Sequence, residues 1–211
     1  SVSGNTLRLN TIANFETQSS YAIRLQVNDG QGGTYSEPFT ITINNVNEVP
    51  SFVKGANQSH PALTTTAQSI PNWATAITDG DTTVTQALSF NVSEVGNSGL
   101  FTAAPAISND GTLTYTPNGT AGTANFSVTL TDDTSINGGA ALTTAPQIFS
   151  ITITEAPSLV VTTTNDVVSN IDGQTSLREA VNYANSNPDV STITFSDGTG
   201  GTTNFADTTR D

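Results

Sequence analysis

Cysteine is missing from the 211 residues, so disulfides and thiolate-bound metals are excluded and stability must come from packing or bound ions. Basic residues are scarce, and Lys54 is the only lysine. Five Lys and Arg stand against 18 Asp and Glu, a formal net charge of −13. A chain of that sign repels the phosphates of nucleic acid and anionic membrane surfaces, which leaves cations as its natural partners. Long apolar runs are also lacking: nothing approaches the roughly 18 residues a bilayer span requires, so direct membrane insertion is not expected. The opening residues, SVSGNTLRLN, lack the charged start and apolar core of a signal peptide, and the chain reads as an internal piece whose export signal or anchor lies elsewhere. What fills the chain is Thr, Ser, Asn and Gly, the composition of strands joined by polar turns in a secreted β protein. With 35% hydrophobic residues, two or three modest cores are expected rather than one large one.

Phe39, Ile41 and Ile43 alternate with threonines in FTITINNVNEVP, which puts apolar side chains on one face of a strand. The pattern returns at IFSITITEAP, where Phe149, Ile151 and Ile153 alternate with Ser150, Thr152 and Thr154. Each run ends in an acidic residue and a proline, so two modules in series are expected. Residues 1–50 carry strand candidates at Thr6–Leu9, Tyr21–Asn28 and Ser36–Asn45, the last two joined by the turn chemistry of Asn28-Asp29-Gly30. Tyr21, Ile23, Leu25 and Val27 share one face that needs an opposing layer, either from further sequence or from another copy's strands.

The run ANFETQSSYAIRLQVNDGQGGTYSEPFTITINNVNEVP resembles the second half of a bacterial cadherin-like repeat, in which a Leu-Asp-x-Glu element, an Asp-containing turn and an Asp-x-Asn-Asp/Glu-x-Pro linker gather calcium. Over about a quarter of the chain, that resemblance implies a Ca2+ site. Asn14 stands where the first element has Asp, Glu16 keeps its Glu, and Asp29 with Gln31 holds the turn. Asn45, Asn47 and Glu48 fall on the linker pattern. Two carboxylates are replaced, by Asn14 and Asn45. The expected metal ligands are therefore Glu16, Asp29, Asn45, Asn47 and Glu48, with weakened affinity because each lost carboxylate reduces the attraction.

Residues 51–155 form the second expected module, with strands at Gln68–Ile77, Gln86–Glu94, Gly99–Ile107, Thr112–Thr116, Thr123–Thr131 and Gln147–Thr154. Alternation turns inward Leu88, Phe90 and Val92; Leu113 and Tyr115; Phe126, Val128 and Leu130; and Phe149, Ile151 and Ile153. IPNWATAI, LSFNV, LFTAAPAISNDGTLTYTPNGTAGTANFSVTLTDD and FSITIT resemble an immunoglobulin-like repeat of large bacterial surface proteins, which implies a sandwich of six or seven strands acting as a spacer or adhesive arm. Trp73 is assigned to the core rather than to sugar stacking. Asp79-Gly80-Asp81 and Asp132-Asp133 place paired carboxylates in turns, where they either hold an ion or, the preferred reading, favour the turn by bonding to the backbone; His60, with no metal or nucleophile partner in sequence, is assigned to a linker.

After Pro157, Ser176 and Glu179 make a capping box, and Leu177, Ala180, Val181 and Ala184 line one face of a helix over 177–184. Strands are expected on either side, at Leu159–Thr163 and Ser191–Phe195. TSLREAVNYAN after an Asp-Gly turn resembles the SLREA segment at the start of right-handed parallel β-helices in secreted bacterial proteins, which implies a helix capping the first coil over 156–211. Arg178 and Glu179 are read as a salt bridge and a cap rather than as catalytic groups.

The expected fold is all-β: tandem β-sandwich modules, cadherin-like then Ig-like, followed by the capped start of a β-helix with one short helix. The expected role is a non-enzymatic spacer, adhesive arm or filament subunit at a bacterial cell surface or outside the cell. Its partners would be neighbouring modules, other copies of itself, or cell-surface glycans and proteins. Two other readings stay open, the non-catalytic part of a secreted β-helix enzyme acting on polysaccharide, and a carbohydrate- or ice-binding module.

Overall fold

The computed structural model describes residues 2–3, 6–61, 64–96, 98–134, 139–187, 192–196 and 202–203. In chain order the strands are β1 (Val2–Ser3), β2 (Thr6–Leu7), β3 (Ser20–Asn28), β4 (Thr34–Thr42), β5 (Ser51–Val53), β6 (Gln58–His60), β7 (Gln68–Ile70), β8 (Thr75–Thr78), β9 (Ser89–Gly96), β10 (Phe101–Ile107), β11 (Leu113–Pro117), β12 (Gly122–Thr131), β13 (Gln147–Ile153), β14 (Val160–Val161), β15 (Thr194–Ser196) and β16 (Thr202–Thr203). One helix, α1 (Leu177–Ser186), interrupts them. The chain divides into a first unit of Ser1–Val53, Ala76–Phe90 and Thr129–Ala145 and a second of Lys54–Thr75, Asn91–Val128 and Pro146–Asp211.

In the first unit, β3 and β4 pair antiparallel in unbroken register from Ser20↔Thr42 to Asn28↔Thr34. That register stacks Tyr21 on Ile41, Ile23 on Phe39 and Val27 on Tyr35, all on one face. Much of this face is open, since Leu25, Val27, Tyr35 and Phe39 are exposed. Phe52 of β5 is buried, edge-on to Phe90 at 5.1 Å.

The second unit carries the densest core. β12 buries every second residue, Gly122, Ala124, Phe126 and Val128, and its register sets Phe126 opposite Phe149 and Ala124 opposite Ile151 of β13. β13 takes β6 on its other side as a parallel neighbour, in the sheet order β6-β13-β12-β9. A second sheet, β10-β11-β7, faces it through aromatic contacts: Phe101 lies 5.5 Å from Phe126, and Tyr115 lies 5.6 Å from His60. The result is a β-sandwich whose inward residues are those that alternation selects on β11, β12 and β13. Val92 on β9 is half-buried, as are Leu88 and Phe90 of the first unit.

Several sequence expectations change. Gln68–Ile77 is not one strand: it breaks into β7 and β8 at Asn72, whose φ of 55° lies in the left-handed region, while Ala76, at φ 50°, falls inside β8. Gly99 and Leu100 belong to a 3-10 turn ahead of β10. Ser36–Asn45 shifts to Thr34–Thr42, and Leu159–Thr163 shrinks to β14. The start of the Ser191–Phe195 strand lies outside the described residues, and β15 begins at Thr194.

His60 is not a linker residue. It closes β6, and its Nε2 lies 2.5 Å from the Tyr115 hydroxyl. Burial pushes the His60 pKa below its ordinary 6.5 and raises Tyr115 to about 12. A lowered base pKa means that the unfolded chain protonates first as pH falls, so stability contributed by neutral His60 is full above about pH 6.5 and lost below it. A raised acid pKa acts oppositely, so the Tyr115 contribution is full below about pH 10 and lost as pH climbs toward 12. Urea titrations should show wild type losing stability between about pH 7 and 5, a slope that His60→Gln flattens. Equal slopes would remove His60 as its source.

Asx turns recur: the side-chain oxygens of Asn28, Asp29, Asp81, Asp110, Asn118 and Asp172 each accept an N–H two residues on. Helix α1 starts with the complete capping box of Ser176 and Glu179 and runs two residues past the expected end. The second Glu179 oxygen accepts from Ser169 N–H, and Arg178 pairs with Asp166. β14 and β15 pair parallel across that helix, while β15 and β16 pair antiparallel.

Candidate metal centre

Three carboxylates converge in the first unit. Glu16 lies in a turn that Asn14 organises, its Oδ1 accepting from Thr17 N–H at 2.7 Å and its backbone carbonyl from Gln18 N–H. Glu48 comes from the linker after β4, and Asp81 from the Asp79-Gly80-Asp81 turn after β8. One oxygen from each lies within 4.8 Å of the other two. Charges of one sign this close repel, and burial sharpens the repulsion. Glu48 is accordingly pushed above the ordinary carboxylate range, by burial first and then by Glu16 and Asp81.

Asp81 is held the other way. Its Oδ1 accepts from Thr83 N–H at 2.8 Å, from the Thr83 hydroxyl at 2.9 Å and from Val84 N–H at 3.2 Å, and Oδ2 accepts from the Asn45 amide at 2.8 Å. These donors, the Thr83 backbone foremost, offset burial and pull its pKa down to about 2. Asp81 therefore stays anionic while Glu48 resists ionisation beside it.

Gly80 makes room for the linker. Its φ is +89°, and an added Cβ would fall 2.9 Å from Val49 O and 3.2 Å from Glu48 Cβ. Only glycine satisfies both the left-handed backbone and the close approach.

Buried oxygens without a hydrogen-bond donor test whether a cation suits this place. Within the cluster, Glu16 Oε1 and Glu48 Oε2 are buried and accept no hydrogen bond. Both are hard oxygen acceptors, and a buried acceptor left unmatched is costly unless an ion or ordered water meets it. The donor set fits a hard divalent cation such as Ca2+, which takes six to eight oxygens and completes its shell with water.

Of the residues singled out by sequence, Glu16 and Glu48 meet. Asn45 adjoins them through Asp81, while the Asn47 amide donates to Asp132 Oδ2 at 3.2 Å and Ala140 O at 3.0 Å. Asp29 is not brought to this group. It sits at the tip of the β3–β4 hairpin, its Oδ1 accepting from Gln31 and Gly33 N–H, while β3 alone spans roughly 27 Å. Asp81 is the residue that sequence reasoning left among the turns. An Asp-Gly-Asp run downstream of an Asn-rich linker is the available signal, but it is shared with any tight turn.

Trp73 is 3% exposed, donates Nε1–H to Ala56 O and lies 4.7 Å from Phe149, so it belongs to the core and offers no stacking surface. None of the described helices is long and apolar enough to cross a membrane.

No family model matches this chain, and no curated protein does. Solved structures do. Mouse Protocadherin-24 EC1-3 superposes with a TM-score of 0.54 at 16% identity, over 80% of this chain and 58% of that one. Human Protocadherin-24 EC1-2 Form II superposes with a TM-score of 0.53 at 13% identity, over 69% of this chain and 70% of that one. This chain thus spans less than two thirds of the mouse structure. At such identities the likeness is one of fold: the architecture is all-β and cadherin-like, with multiple sheets and one short helix.

Proposed function

We propose that this chain is a non-catalytic, extracellular adhesion-type segment of a bacterial surface protein, in which calcium bound by Glu16, Glu48 and Asp81 stiffens the stretch between successive β modules. The observation that carries this reading is the convergence of three carboxylates among buried oxygens that accept no hydrogen bond. Asn45 and Asn47 belong to the same site as neighbours of its carboxylates. Asp29, at the hairpin tip, is left out of the site and holds its own turn. Residues 1–50 act as the end of one cadherin-like module, 51–155 as an Ig-like sandwich and 156–211 as the start of a β-helix. The last assignment is supported by the parallel register of β14 and β15 on either side of α1, the pairing that a first β-helix coil requires. Its partners are neighbouring modules or other copies of the chain, and the apolar face of β3 and β4 is where a further strand layer would seat.

Titration calorimetry with CaCl2 tests the site. Binding is expected with Kd on the order of 0.1 to 1 mM, as for extracellular modules, and Glu16→Ala or Glu48→Gln should weaken it while Asp29→Asn leaves it unchanged. At about 10 mM Ca2+ the bound ion should stabilise the chain by roughly 1.4 to 2.7 kcal/mol, visible as a higher melting temperature that chelator reverses. A melting profile indifferent to chelator, or affinity unaffected by Glu16→Ala, removes the site.

A further inference from the structure

We infer that the linker after β4 is fastened by amide clamps that need no cation, so that an ion at Glu16, Glu48 and Asp81 adjusts a linker already in place. Asn45 is 8% exposed, and its Nδ2 donates to Asp81 Oδ2 at 2.8 Å and to Thr83 Oγ1 at 3.1 Å. Two residues on, Asn47 Nδ2 donates to Asp132 Oδ2 at 3.2 Å and to Ala140 O at 3.0 Å. Both amides spend their two N–H bonds on one carboxylate and one neutral oxygen, and both join residues at least 36 positions apart. The amide orientation follows from chemistry, because the reversed group would set a carbonyl oxygen against each carboxylate.

An aspartate at position 45 would face Asp81 as a like charge and need a cation between them. The asparagine supplies the positive end of a dipole itself, in a charge-assisted hydrogen bond whose strength does not depend on any ion. The rest of the linker is seated as closely. Val49 O and Glu48 Cβ lie where a side chain on Gly80 would be, and Pro50 is fully buried. Asn44, Val46 and Val49 stand out of the linker, the two valines 64% and 54% exposed. The clamp shares Asp81 with the proposed calcium site, but its hydrogen bonds form without an ion, and only the calcium arm of its test rests on that reading.

Limited proteolysis of the whole chain measures the clamp, using an elastase-type protease that cuts after small apolar residues such as Val46, the Val49–Pro50 bond being resistant because proline follows it. When opening is fast relative to cutting, the rate reports the population of released linker. In excess chelator, wild type should be cut slowly, and Asn45→Ala and Asn45→Asp should each be cut about tenfold faster or more. Calcium should restore resistance to Asn45→Asp, which gains a carboxylate ligand, and not to Asn45→Ala. An unchanged far-ultraviolet circular dichroism spectrum and melting temperature certify that a variant remains folded, since Trp73 lies in the second unit and reports only there, and Asn47→Ala repeats the test at the second clamp. Chelated wild type cut as fast as the variants overturns the inference. Absence of a calcium effect on every variant overturns the metal site alone and leaves the clamp standing on its chelator arm.

Discussion

Phe149→Ala should cost about 3 to 5 kcal/mol, the range for deleting a buried phenylalanine ring. Phe149 is 1% exposed and sits between Trp73, at 4.7 Å, and Phe126, at 5.4 Å, so its removal opens a hole among large rigid neighbours that cannot close over it. Partial collapse would require β12 and β13 to shift, and their register is fixed at seven successive pairs from Gly122↔Ile153 to Val128↔Gln147. Set against a typical total stability of about 5 to 15 kcal/mol, a loss of that size leaves the sandwich marginal. Urea unfolding followed through the single tryptophan reports it directly. A cost below about 1 kcal/mol would show that the aromatic cluster is not the core of the fold.

Gly55→Ala should destabilise by about 1 to 3 kcal/mol, as overpacking a filled site does. A Cβ at this position would lie 2.5 Å from Trp73 O and 2.6 Å from Trp73 Cδ1. The obstacle is partly backbone, and the adjoining Ala74 N–H is tied to Gly111 O at 2.9 Å. The indole has little freedom to yield, since Phe149 lies against it and Nε1–H is held by Ala56 O at 2.8 Å. The expected result is a lower urea midpoint together with red-shifted Trp73 emission. An unaltered midpoint with unaltered emission would mean that Trp73 is loosely held. It would then reopen the sugar-stacking role that its burial now rules out.

Long strands were legible from sequence because their alternation runs over five residues or more. On β11, β12 and β13 every inward residue named from the pattern is buried, from Leu113 and Tyr115 to Ile153. Short strands were not, because three residues such as Gln58–His60 hold too little period to register, and β6 is placed by its parallel pairing with β13. The break between β7 and β8 falls at Pro71-Asn72, with Asn72 at positive φ, a short turn signal set inside an otherwise largely apolar run. The helix could be located because its capping chemistry is local and spelled out by Ser176 and Glu179.

The acidic cluster divides along the same line. Glu16 and Glu48 carry a linear pattern, whereas Asp81 reaches them only through the fold, 33 residues after Glu48. Asp29 matched the pattern equally well and lies at the hairpin tip, because a motif fixes residue types and spacing while the strand between them fixes which end each occupies.

Two of the Asx turns, at Asp81 and Asp110, respond to acid. Asp81, at about 2, and Asp110, below the usual carboxylate range, are held ionised by the turn N–H groups that they accept, Thr83 foremost for Asp81 and the Ser108 hydroxyl ahead of Thr112 for Asp110. A lowered acid pKa contributes stability above the unfolded value of 3.8, and that contribution disappears as pH falls through the folded one. None of the buried apolar side chains that join β11, β12 and β13 carries a titrating group in that window. Acid below about 3.8 therefore loosens the turns that Asp81 and Asp110 hold, after the His60–Tyr115 contact has weakened at higher pH, while the apolar contacts of β11, β12 and β13 persist.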